Sequence, residues 1–154
     1  MADDDVDFAV AAYRDQGVWQ VAELKTAVTQ DVGELVEALR RFPSDVGVLG
    51  MVAVDEEFFV LVRVSGPYTR FMLSDVTAVA DYDLAADVAD QLDLPDPAPD
   101  ADADPAGDLE IVSDLGLSSS ALDLLCDPDA YPDEMLLEIA ERLGFGDELN
   151  ALVG

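Results

Sequence analysis

A chain of 154 residues, 51% of them hydrophobic, is long enough to bury one ordinary core or two very small ones, and too apolar for wholesale disorder. It carries 35 Asp and Glu against 7 Lys and Arg, for a formal charge of -28, and no histidine. Such a field repels phosphates and anionic lipid surfaces, so direct nucleic-acid or membrane binding is not expected and a basic protein surface is the natural partner.

In chain order, Val6 to Tyr13 is apolar and rich in β-favouring residues, Gln16-Gly17 offers a turn, and Val18 to Leu24 alternates as a strand does. The period then changes. Asp31 to Phe42 places Val32, Leu35, Val36, Leu39 and Phe42 on one helical face, with Asp31 and Arg40-Arg41 at the ends the helix dipole favours and Pro43 as the stop. Val46 to Val54 and Glu57 to Ser65 flank Asp55-Glu56 as a hairpin. Both are apolar at nearly every residue, as central, covered strands are. Thr69 to Leu73 is a fifth, shorter strand, and Thr77 to Leu92 a second helix, capped from Ser74-Asp75. The expected fold class is α+β: a five-stranded, antiparallel-rich sheet with two helices in the order β-β-α-β-β-β-α, which recurs in profilin-like and longin-like binding platforms.

Three segments follow from this: an α+β domain over residues 1–92, an acidic Pro/Ala/Asp linker over 93–107, and a small helical module over 108–154. The linker has four prolines and no large apolar residue after Leu94, so it should be irregular and extended. In the module, Pro132 opens a helix whose apolar positions are Leu136, Leu137, Ile139, Ala140 and Leu143. Gly144-Phe145 reads as a Schellman stop, and Asp147 opens a last helix with Leu149, Leu152 and Val153. Such a module is too small for a core of its own and should dock on the first domain or on a partner. Charge divides unevenly. Residues 1–71 carry 13 acids and 6 bases; residues 72–154 carry 22 acids and Arg142 alone.

Cys126 is the single cysteine, so no intrachain disulfide forms, as suits a reducing compartment. The acidic Met1 to Asp5 lacks the basic start of a signal peptide, and no run of about 18 apolar residues occurs. A cytoplasmic protein is expected.

The inventory for catalysis is thin. Without histidine there is no Ser-His or Cys-His pair and no imidazole ligand, and one cysteine makes no CxxC site. No phosphate-cradling GxxxxGK[ST] or GxGxxG is present. Asp100, Asp102 and Asp104 have the spacing of a calcium loop but lack its glycine and terminal Glu, so diffuse counterion condensation is expected there instead of a metal site. No cofactor and no catalytic residue is assigned. Trp19, Phe58, Phe59, Tyr68 and Phe71 are aromatic candidates for a binding face, with core packing the expectation for Phe58, Phe59 and Phe71. Arg63, inside an apolar strand, should point to solvent or pair with Asp55 or Glu57. Cys126 reads as a small buried residue.

Glu56-Glu57-Phe58-Phe59-Val60-Leu61-Val62-Arg63-Val64 resembles the EYFALVRV segment of actinobacterial proteins called tRNA adenosine deaminase-associated proteins. Pro105-Ala106-Gly107-Asp108, Asp114-Leu115-Gly116, Leu124-Leu125-Cys126 and Glu141-Arg142-Leu143-Gly144-Phe145-Gly146-Asp147 are similar to that family's C-terminal pattern. The resemblance spans nearly the whole chain. It implies association with a tRNA adenosine deaminase and supplies no catalytic residues. The chain is not such a deaminase, because the zinc-binding H-x-E and P-C-x-x-C set is missing.

The expected function is therefore a non-catalytic acidic partner or regulator of that deaminase, which needs a basic surface to hold tRNA phosphates. A profilin-like or longin-like binding domain with an unrelated partner, its acidity a genomic bias, is the alternative; a carboxylate-based divalent-metal enzyme is a third. The residues expected to meet the partner are Asp133, Glu134, Glu138 and Glu141 for steering, and Phe145, Leu149 and Leu152 for an apolar hold.

Overall fold

The computed structural model describes residues 6–25, 28–29, 31–42, 47–94, 100, 102, 104–126 and 130–153. Pro43 as helix stop, Val46 as strand start, Met1 to Asp5, the side chain of Val153 and much of the 93–107 linker lie outside that description.

Strand β1 (Val6–Asp15) turns back into β2 (Val18–Glu23) through Gln16 and Gly17, both at positive φ (54° and 79°), the mirror-image turn whose twist matches paired strands. On its other side β1 pairs with β3 (Val48–Val54), which turns through Asp55 and Glu56 into β4 (Phe58–Ser65); β5 (Tyr68–Leu73) follows. All these pairings are antiparallel. Among the described residues the sheet has six strands, not five. Ala106 and Gly107 form β6 beside Leu73 and Met72, giving the order β2-β1-β3-β4-β5-β6. The end of the expected linker is thus an edge strand. Its backbone finds ladder partners that no side-chain pattern announces. Gly107 fits because its φ is +96° and a Cβ there would lie 2.7 Å from the Phe71 carbonyl oxygen.

The central strands are buried on both faces: every residue of β3, and every residue of β4 except Ser65. The alternation of the strands sorts them into two cores. Val52, Val54, Phe58, Val60 and Val62 face helices α1 (Val32–Arg40) and α2 (Asp83–Gln91). Met51, Ala53, Phe59, Leu61 and Met72 face the C-terminal segment. That segment comprises an irregular stretch with buried Ile111, Val112 and Leu117, then α3 (Ser119–Leu125), α4 (Pro132–Leu143) and α5 (Gly146–Val153). Of the two destinations open to it, the sheet is where it lies, and the molecule is an α+β sheet with helices on both faces.

Local chemistry sets the elements. Asp31 caps α1 by accepting from the Gly33 amide at 2.7 Å, and Leu39 comes down on Gly50, where a Cβ would sit 2.8 Å from its Cδ1. The expected helix over 77–92 is interrupted. Val76–Ala80 is a 3-10 turn capped by Asp75, and α2 starts only at Asp83, after Tyr82 in extended conformation. The break lets the Tyr82 ring pack on Phe58, centroids 5.0 Å apart, and its hydroxyl donate to Asp55 at 2.7 Å. α4 ends in the expected Schellman stop, with Gly144 at φ 111° and the Phe145 amide donating to the Ala140 carbonyl at 2.8 Å. Among the described residues no helix is long and apolar enough to cross a membrane.

Candidate functional site

Two sheet arginines meet the C-terminal segment. Arg63 on β4 and Arg70 on β5 are cross-strand partners on the face that α4 and α5 cover. Arg63 is 5% exposed. Its guanidinium donates to both Asp114 carboxylate oxygens, with Nη2 to Oδ2 at 2.8 Å, and to the Ile111 carbonyl at 2.8 Å. Arg70 Nε donates to Asp108 at 2.5 Å. The expectation that Arg63 faces solvent or pairs with Asp55 or Glu57 is corrected. Six residues of extended strand, roughly 20 Å, separate it from Glu57 and the Asp55 turn, and the alternation of β4 turns it toward the C-terminal face. The hydrogen bond from Arg63 holds the Asp114 carboxyl below its usual range against a smaller opposing effect of burial, and Asp108 raises Arg70. Asp108 and Asp114 are therefore structural clamps.

The acids expected to steer a partner stand outside the core. Asp133 and Glu134 are exposed in the first turn of α4, where they also complement the helix dipole. Glu141 is exposed, and Glu138 accepts from Arg142 Nε at 3.2 Å one turn on. The fold carries Asp133 and Glu134 to a cleft of about 330 Å³ whose other walls are Asp7, Phe8, Glu56, Leu137 and Asn150. Asp7 receives the Glu56 amide at 2.7 Å, which ties the end of β1 to the β3–β4 turn. Four carboxylates thus rim an opening with half-buried Phe8 and Leu137 in its wall. That composition suits a lysine or arginine side chain, with the aliphatic stem on the apolar wall and the charged head at the rim. Asp7, Glu56 and Asn150 carry no local signal that would single them out; only the docking of α4 and α5 beside the β3–β4 turn does so.

The expected apolar hold is placed differently. Phe145 and Leu149 are fully buried, and Leu143 is 7% exposed. The Phe145 ring packs on Trp19 with centroids 4.8 Å apart. These side chains complete the molecule's own second core and are not on its surface. Leu152 is 41% exposed and remains accessible, as do Leu124 (83%) and Tyr131 (56%), which flank the segment between α3 and α4. Of the aromatic candidates, Phe58, Phe59 and Phe71 are core and Trp19 is half-buried; Tyr68 is the exposed one, at 73%. Cys126 is half-buried. Burial, and then Asp123, push its thiol up to about 12, so it stays protonated and unreactive at neutral pH. Among the described residues no three or more Asp, Glu or Cys come together to hold a metal ion.

The family model described as Rv3753c-like tRNA adenosine deaminase-associated protein matches residues 7–146 of the chain. A curated relative, Protein Rv3753c of Mycobacterium tuberculosis (strain ATCC 25618 / H37Rv), is 41% identical over 150 residues, which is 95% of this chain and 87% of the relative. No solved structure matches the chain.

Proposed function

Because the chain belongs to the Rv3753c-like tRNA adenosine deaminase-associated family, we propose that it acts as a non-catalytic, cytoplasmic partner of a tRNA adenosine deaminase, docking on that enzyme's basic surface. The observation that carries this reading is the cleft where Asp133 and Glu134 of α4 meet Asp7 and Glu56 across Phe8 and Leu137. Its acids steer the encounter and its apolar wall, with Leu152 beyond, retains the partner side chain. The division of roles follows from magnitude. Exposed ion pairs contribute roughly 0–1 kcal/mol each and are screened by salt, so charge gives rate and orientation more than lasting affinity. The lack of histidine and the protonated Cys126 support a role without catalysis.

The test is a titration of the purified chain into the deaminase of the same cell at about 20 mM and about 300 mM salt, where the Debye length falls from roughly 20 Å to roughly 6 Å. Binding should weaken with salt. The triple variant Glu56→Gln, Asp133→Asn, Glu134→Gln should associate at least several-fold more slowly while unfolding at the same temperature as the parent. No binding at the lower salt would remove the proposal.

A further inference from the structure

Among the described residues, one edge of the sheet is open. β6, at the far edge, is two residues long, whereas β2 offers six residues with an unbroken register to β1. The backbone geometry of β2 is fixed by one bond: the Leu24 amide donates to the Ala9 carbonyl at 2.8 Å, continuing the register in which Val10 faces Glu23. In an antiparallel pair, directly bonded residues alternate with unbonded ones. Val18, Gln20, Ala22 and Leu24 therefore bond toward β1. The N–H and C=O groups of Trp19, Val21 and Glu23 point outward, and among the described residues no backbone group bonds to them. Natural sheets protect such edges with proline, lysine, a bulge or brevity. The segment Val18-Trp19-Gln20-Val21-Ala22-Glu23 has none of these, and Val18 is 57% exposed.

We infer that β2 is a docking edge for a second copy of this chain, pairing antiparallel with its own symmetry mate about Val21. Charge is the reason for choosing a second copy. On a chain of charge -28, the stretch from Arg14 to Lys25 is locally balanced, with Arg14 and Lys25 against Asp15 and Glu23. The outward set is also self-complementary. Centring on Val21 sets Glu23 of one copy opposite Trp19 of the other. Trp19 faces Arg14 across the β1–β2 pair, and the Arg14 guanidinium lies 5.5 Å from its ring centroid. Cross-strand partners share a face, so Glu23 of one copy approaches the Trp19–Arg14 pair of the other from the open side. Each copy carries a formal charge of -28, so two copies repel one another over the longer range. Association should therefore strengthen with salt, opposite in sign to docking on a basic partner.

The experiment is sedimentation equilibrium with amide hydrogen exchange on the full chain, at about 20 mM and about 500 mM salt and over a hundredfold range of concentration. The expected result is a two-fold rise in mass at high salt and high concentration, with exchange slowed about tenfold at Trp19, Val21 and Glu23 and unchanged at Gln20 and Ala22. Glu23→Arg should keep the chain monomeric, and adding Arg14→Glu should restore the dimer by reversing both charges. Val21→Pro, which removes an outward N–H that the fold does not use, should also stay monomeric with an unchanged circular dichroism spectrum. A chain that remains monomeric at high salt overturns the inference. So does a dimer that survives both Glu23→Arg and Val21→Pro, or one whose exchange slows elsewhere. None of these results bears on deaminase binding, which is read at low salt with a different protein.

Discussion

Arg63 on β4 grips the Asp114 carboxylate through two guanidinium nitrogens and spans 51 residues of sequence to do so. The guanidinium is buried and the carboxylate is not: the side chains are 6% and 57% exposed. The two ends of this bond should therefore respond differently to mutation. Asp114→Ala takes the carboxylate from a buried cation and should cost about 2 kcal/mol, below the 3–5 typical of a fully buried pair because Asp114 is partly solvated. Arg63→Met keeps the volume, returns Asp114 to water and should cost less. Urea midpoints of the two variants decide the order.

Asp114 also sets part of the acid response. Its folded pKa is lowered, chiefly by the Arg63 hydrogen bond. Its contribution is therefore complete above the unfolded value of about 3.9 and is lost as pH falls through the lower folded value. Asp87 is the opposite case: burial, and then the charge of Asp31, raise its pKa. The folded form holds the proton more readily, so ionised Asp87 costs stability as pH rises. Asp87→Asn should stabilise the protein at pH 7, with the gain vanishing below about pH 4. Asp114→Asn should destabilise at pH 7 and lose less on acidification than the parent. Thermal unfolding between about pH 3 and pH 7 shows both slopes.

Phe145 lies under Trp19 with no exposed surface. Phe145→Ala should cost about 3–5 kcal/mol through the lost contacts and the cavity left behind. Leu152→Ala, at a side chain 41% exposed, should change stability by no more than about 0.5 kcal/mol. If the deaminase reading holds, Leu152→Ala weakens the complex without moving the melting temperature, whereas Phe145→Ala acts through folding.

Gly107 is the residue on which β6 depends. A Cβ there meets the Phe71 carbonyl oxygen at 2.7 Å and Leu92 Cδ1 at 2.9 Å, at a φ of +96°. Gly107→Ala should cost about 2 kcal/mol or more and release the β5–β6 pairing. The Asp108 amide donates to the Phe71 carbonyl at 2.9 Å and, by the same alternation, Leu73 bonds toward Ala106, so the exchange rates of the Asp108 and Leu73 amides should rise together.

An endoproteinase that cuts before Asp should find its sites among Asp96, Asp100 and Asp102, where composition offers no core-forming side chain. The nicked chain should still elute as one particle, because Leu136, Ile139 and Phe145 share a core with Met51, Phe59 and Leu61 across the cut. Separation should need denaturant. Fragments that part in plain buffer would mean that the second core is weaker than its burial implies.

Period, capping chemistry and charge are local properties of a chain, and the elements that depend on them are legible in the residues alone. The alternation of Val18 to Glu23, the helical stripe of Val32, Leu35 and Leu39 behind Asp31, the apolar runs on either side of Asp55-Glu56 and the Gly144-Phe145 stop all form where their patterns place them. The surplus of acids is equally plain, and so is the lack of histidine. Other features depend on which face meets which neighbour. β6 exists because β5 offers it a ladder, and helix 77–92 breaks because Tyr82 has Phe58 and Asp55 to reach. Arg63 is buried because β4 aims it at Asp114, and Phe145 is core because it packs on Trp19. Asp7, Glu56, Asp133, Glu134 and Asn150 come together in one cleft only after the C-terminal helices close over the sheet. A side chain's period tells which way it points relative to its own element. What waits there, whether water, a carboxylate or another ring, is set by residues far off in the sequence, from 24 positions for Tyr82 and Phe58 to 126 for Trp19 and Phe145, and the tertiary structure alone brings them close.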